Sequence, residues 1–148
     1  MKKSIPYVFA LVVLTLALIP NVFAHPIKPI RSDVSLTFDW IAFEWTGTVS
    51  GDITGSVVVT PDVDNTWFPG KTEHFAETWM IDLGGDDFIE IYDLGVWSFV
   101  TFKFRANGRV TDASATYAYL IGAKVHLMGT TTPLDSDPLT ATGTIRFN

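Results

Sequence analysis

Val34-Ser35-Leu36-Thr37-Phe38-Asp39-Trp40 alternates apolar and polar side chains one for one. Successive side chains of an extended chain point to opposite faces. This segment therefore sets Val34, Leu36, Phe38 and Trp40 against a core and its hydroxyls and carboxylate toward water. The same pattern closes the chain, where Leu139-Thr140-Ala141-Thr142-Gly143-Thr144-Ile145-Arg146-Phe147 repeats it. Between these ends the period is two almost everywhere, and no stretch carries the apolar spacing of an amphipathic helix.

Working outward, the first strand is expected to run on through Phe43 and Trp45 toward Val49. Ser50-Gly51-Asp52 reads as a turn before a β-branched strand from Ile53 to Thr60. Residues 61–72, punctuated by Pro61, Pro69 and Gly70, form the longest early loop. Glu73 to Asp82 is a strand, Gly84-Gly85-Asp86 a tight turn, Phe88 to Tyr92 the return, and Asp93-Leu94-Gly95 a bulge or turn. Val96 to Arg105 is aromatic and β-branched, and Asn107-Gly108 is a hairpin signal. Arg109 to Tyr119 and Gly122 to Leu127 are further strands, before a two-proline loop from Thr131 to Pro138. Seven or eight strands joined by hairpins predict an all-β domain: a single small antiparallel β-barrel, eight-stranded, with a β-sandwich as the second choice. Glycines at 47, 51 and 55 suit the tight coiling of barrel strands, and closure removes edges that would otherwise need protection.

Residues 1–24 stand apart from that domain. Lys2 and Lys3 precede an apolar run from Tyr7 to Ile19, Pro20-Asn21 breaks it, and Val22-Phe23-Ala24 ends on a small residue. That order predicts a secretory signal peptide cleaved before His25, leaving residues 25–148 as the domain, secreted or held in a periplasm. As a helix the apolar run would rise about 20 Å against a hydrocarbon core of roughly 30 Å, so no stable membrane anchor is expected after cleavage.

The chain of 148 residues carries a net charge of −6, which becomes −8 once Lys2 and Lys3 are removed. The remaining basic residues are scattered, so no surface is expected to neutralise a run of phosphates and no nucleic-acid partner follows. There is no cysteine, hence no disulfide and no thiol chemistry; stability must come from the core.

The catalytic inventory is thin. His74 and His126 are the histidines inside the domain, and no nucleophile-elbow sequence accompanies them. Neither histidines nor carboxylates recur at zinc-site spacing, so no metal and no cofactor are expected. Asp62-Val63-Asp64-Asn65 offers oxygen atoms to calcium but lacks the turn glycine and closing glutamate of an EF-hand loop. Trp67, beside Phe68 and Pro69, is a loop tryptophan suited to stacking on a sugar or meeting a lipid interface.

The strand from Glu73 carries the strongest signal. If Phe75, Trp79 and Ile81 face inward, Glu77 faces inward with them. A carboxylate among rings must be paired or hold a proton, because burying its charge alone is too costly. Trp97, Phe99, Thr101, Lys103 and Arg105 share one face of the following strand, which offers Lys103 or Arg105 as partners. Glu77, Trp79, Trp97, Phe99 and Lys103 are therefore the candidate ligand-binding residues; none is assigned a catalytic role.

The stretch Val110-Thr111-Asp112-Ala113-Ser114-Ala115-Thr116-Tyr117-Ala118-Tyr119-Leu120-Ile121-Gly122-Ala123-Lys124-Val125-His126-Leu127 resembles a strand pair of the allene oxide cyclase and dirigent-type barrels. Tyr117 and Gly122 fit the pattern, whereas Ala113 and Ala115 stand where those families carry glycine. The resemblance implies an eight-stranded antiparallel barrel whose interior can hold an apolar small molecule, and it carries over no catalytic residue. The leading expectation is an exported barrel that binds a small apolar ligand without turnover. The alternatives are a cyclase or isomerase working by confinement, and an extracellular recognition or structural module binding a polymer or protein.

Overall fold

The computed structural model describes residues 28–148, so the expected signal peptide over residues 1–24 lies outside the described residues. Eight strands follow in chain order: β1 (Ile30–Asp39), β2 (Glu44–Gly51), β3 (Gly55–Pro61), β4 (Thr72–Gly84), β5 (Asp87–Ser98), β6 (Lys103–Ala113), β7 (Lys124–Thr131) and β8 (Thr140–Phe147). Each pairs antiparallel with the next, and β8 returns to β1 with Val34 opposite Gly143, closing the barrel. Closure satisfies the backbone polar groups of both terminal strands and leaves no edge.

Alternation decides what fills the barrel. Val34 and Leu36 of β1, Val57 and Val59 of β3, and Ile89 and Ile91 of β5 are all buried, while their neighbours are exposed in β1 and β3 and half-buried in β5. Packing is uneven along the axis. At one end Ile53, Val110, Val125, Ile145 and Phe147 are nearly inaccessible, and a short 3-10 helix, Ala115–Leu120, adds the buried Leu120. The Ser32 hydroxyl ties the adjoining turn, donating to the Ile53 carbonyl at 2.8 Å and accepting from the Ile53 N–H at 2.9 Å. The opposite end is hollow.

The chain turns where composition hid a turn. The first strand does not run through Phe43: residues 40–43 reverse direction, with Asp39 Oδ1 accepting from the N–H groups of Ile41 at 2.7 Å and Ala42 at 3.0 Å. The run from Val96 to Arg105 breaks in the same way. Ser98 Oγ accepts from the N–H groups of Val100 at 3.3 Å and Thr101 at 3.2 Å. Phe43 and Phe102 close these turns with φ of 56° and 57°, in the left-handed region. Asp39 and Ser98 were the legible signals, since short polar side chains capture backbone N–H groups two and three residues on.

Three further expectations are corrected. Asn107-Gly108 is not a hairpin but lies within β6, and Asp93-Leu94-Gly95 is neither bulge nor turn but continuous β5. Gly108 stands there because a Cβ would meet the Tyr92 carbonyl and the Asp93 side chain. The strand expected from Arg109 to Tyr119 ends at Ala113, and the 3-10 helix takes the rest.

Candidate functional site

The hollow end is set by β4 and β5. Alternation turns Glu73, Phe75, Glu77, Trp79 and Ile81 of β4 inward, and the register places Trp97, Gly95, Asp93, Ile91 and Ile89 of β5 opposite them in that order. Ile81, Ile89 and Ile91 are completely buried. Above Trp79 the facing side chains cease to fill the bore, leaving a cavity of about 430 Å³.

Its wall is aromatic. Phe38 lies 5.0 Å from Trp45, Trp45 6.3 Å from Trp97, and Trp97 5.1 Å from Phe99, all edge-on; Phe99 stacks on Phe68 at 6.3 Å. Edge-on contact is a favoured geometry for aromatic rings, so the wall is held by ring–ring attraction as well as by burial. Trp40, Phe43, Val63 and Phe68 line the mouth and remain exposed, so the apolar surface continues outward to solvent.

Beside the hydroxyls of Thr66 and Thr131, the ionisable groups are acidic. Glu73 and Glu77 line the cavity, and among the described residues no Lys, Arg or His does so. Asp93, 2% exposed, stands opposite Glu77 on the neighbouring strand. Burial drives the Glu77 carboxyl well above the ordinary carboxylate range, and the charges of Asp93 and Glu73 push it further. Burial likewise pushes Asp93 up to about 7, and burial raises Glu73. The Trp79 indole N–H is close enough to draw Glu77 and Asp93 slightly back down, yet it closes no aligned hydrogen bond. Trp79 Nε1, Asp93 Oδ1, Trp97 Nε1 and Thr131 Oγ1 are all buried without a hydrogen-bond partner. Two facing carboxyls without a cation cannot both ionise cheaply, so the pair holds a proton at neutral pH.

Four of the residues singled out from the sequence converge here: Glu77, Trp79, Trp97 and Phe99 all line the cavity. Lys103 does not. The turn at residues 99–102 resets the alternation, so Phe104 and Ala106 point inward while Lys103 and Arg105 are exposed. Lys103→Ala is accordingly expected to shift the urea midpoint by less than the equivalent of about 0.5 kcal/mol, as for surface positions generally. Sequence reasoning did not pick out Glu73, which shares the parity of Glu77, or Asp93, whose facing depends on β5 running unbroken.

The other residues considered lie elsewhere. His74 is on the outer face, stacked on Trp67 at 4.7 Å, and His126 Nδ1 is 2.6 Å from Asn107 Oδ1. Asp62 Oδ2 accepts from Asn65 Nδ2 at 2.8 Å and from the Tyr92 hydroxyl at 3.1 Å, which is turn chemistry. Among the described residues no three His, Asp or Glu side chains converge as metal ligands would. No family model, no curated protein and no solved structure matches this chain.

Proposed function

We propose that the chain is an exported barrel that takes a small apolar molecule into its open end and binds it without turnover. The observation that carries this reading is the aromatic-walled cavity of about 430 Å³, which opens to solvent through an apolar rim. Ligand pockets commonly have this size and character, with a few polar groups to fix orientation. Burying an aromatic or aliphatic body there removes apolar area from water at roughly 25 cal/mol per Å² before association costs are deducted. The allene oxide cyclase and dirigent-type resemblance points the same way, toward an interior that accepts an apolar guest.

The test is a titration with N-phenylnaphthylamine, a neutral lipophile, read by tryptophan emission. Saturable change is expected because Trp45, Trp79 and Trp97 all line the cavity. Trp97→Ala should weaken binding by about tenfold, the usual effect of truncating a buried aromatic anchor. Emission that does not move, together with native mass spectra showing no retained molecule, would remove the reading.

A cyclase or isomerase is the second reading, favoured by one feature. A proton-bearing carboxyl at Glu77 in a water-poor aromatic cavity has the placement and raised affinity for protons that general acid catalysis needs. Glu77→Gln separates the two: it would abolish turnover in an enzyme and leave uptake of a neutral lipophile intact in a binding barrel.

A further inference from the structure

We infer that the guest of this cavity is an apolar molecule carrying a protonated amine, whose ammonium group docks on the carboxyls of Glu77 and Glu73 beneath the aromatic wall. This deepens the binding reading above and rests on it. The first ground is unbalanced charge. Glu73 and Glu77 line the cavity and Asp93 backs it, while every Lys and Arg of the described residues is exposed on the outside of the barrel.

Around Glu77, the 3-10 helix Val63–Asn65 that packs on β4 brings only acidic groups, Asp64 and the preceding Asp62. β3, which pairs with β4, contributes no titratable group between Gly55 and Pro61. β5 contributes Asp93, and β4 itself contributes Glu73. On β6, beyond β5, Lys103, Arg105 and Arg109 point outward. Among the described residues no cation is in place to neutralise the site.

The second ground is independent of the carboxylate count. Asp93 is 2% exposed and its Oδ1 accepts no hydrogen bond; Trp97 is 8% exposed, lines the cavity, and its Nε1 donates none. Orphaned buried polar atoms are costly, and in native proteins they call for an explanation. An ammonium group lets the lining carboxyls of Glu77 and Glu73 ionise and accept, and the Trp97 indole N–H suits an acceptor atom elsewhere on the same molecule. Rings facing inward add attraction for a cation over their faces. A metal ion fits less well, since no three carboxylate or imidazole groups converge among the described residues.

The test compares cyclohexylmethylamine, cyclohexylmethanol and cyclohexanecarboxylate, which share a body and differ in head group. Their binding is followed by tryptophan emission and calorimetry. At about pH 8 the amine should bind about tenfold more tightly than the alcohol, and the carboxylate not at all, as a desolvated charge pair implies. The preference should weaken as the pH falls to about 5, because burial raises Glu77 and Glu73 and holds Asp93 near 7, while the amine stays charged. Near neutrality the amine should release protons on binding, seen as a dependence of the heat on buffer. Glu77→Gln should reduce the preference for amine over alcohol and Glu77→Gln with Glu73→Gln should abolish it; the wild-type series alone decides if those variants do not fold. Equal binding of alcohol and amine at the higher pH overturns the inference and leaves the binding barrel standing. If N-phenylnaphthylamine and the alcohol also fail to bind, both fall.

Discussion

Raising the pH from about 5 to about 8 is expected to destabilise this protein by on the order of 3 kcal/mol, the reverse of the usual acid sensitivity. The cause is the buried carboxyl pair. Asp93 titrates near 7 in the folded barrel, against an ordinary carboxylate value in the unfolded chain, and Glu77 is raised as well. Below the unfolded value both states hold the proton and the folded state suffers no penalty. Between about 4 and 7 the unfolded chain has released a proton that the folded chain retains, so stability falls as pH rises, by about 1.4 kcal/mol per unit for each such group. Glu77, raised by burial in the same direction, adds to the decline. Asp39 and Asp62 shift the other way, but both are depressed and act only at pH below the ordinary carboxylate range.

Urea denaturation midpoints across this interval measure the effect. Asp93→Asn keeps the shape that Gly108 accommodates while removing the charge, so it should flatten the profile and raise stability at about pH 8. Glu77→Gln should act in the same direction. A wild-type profile that is level, or that rises with pH, would mean these carboxyls are not shielded from water.

Gly95→Ala is expected to cost about 2 kcal/mol and to close the cavity in the same stroke. Gly95 faces inward opposite Phe75, whose ring lies across the glycine. An added Cβ would collide with that ring and sit 2.8 Å from the Arg105 carbonyl oxygen. The carbonyl belongs to the β5–β6 ladder and cannot retreat, so the ring must, and the space beside it is the cavity that Phe75 lines. Stability and uptake of N-phenylnaphthylamine should therefore fall together. Adding Phe75→Leu, which withdraws the colliding atoms, should restore part of each, because neighbouring substitutions couple. Gly70→Ala is the control: nothing lies within 4 Å of its Cβ position, and its φ of 69° leaves only backbone strain, on the order of 1 kcal/mol. If Gly95→Ala proves no worse than Gly70→Ala, the close approach of Phe75 is not what shapes the site.

Much of this molecule can be read without coordinates because alternation is a local property. Val34 to Asp39, Glu73 to Asp82 and Thr140 to Phe147 each carry their own record of which side chains meet water, and turns of glycine are equally local. That record sufficed for an antiparallel barrel, for the inward facing of Glu77 and Trp79, and for Trp97 and Phe99 as wall. It did not survive the turns. Facing is a matter of parity, and parity is lost wherever the chain reverses through residues that also suit a strand, as Phe99 to Phe102 do. Lys103 reads as interior by parity and stands outside, while Asp93, on a segment that reads as punctuation, stands inside against Glu77. Whether rings fill a bore or only line it is decided by the sum of side-chain volumes across eight strands, and that sum exists only once the strands have closed on one another.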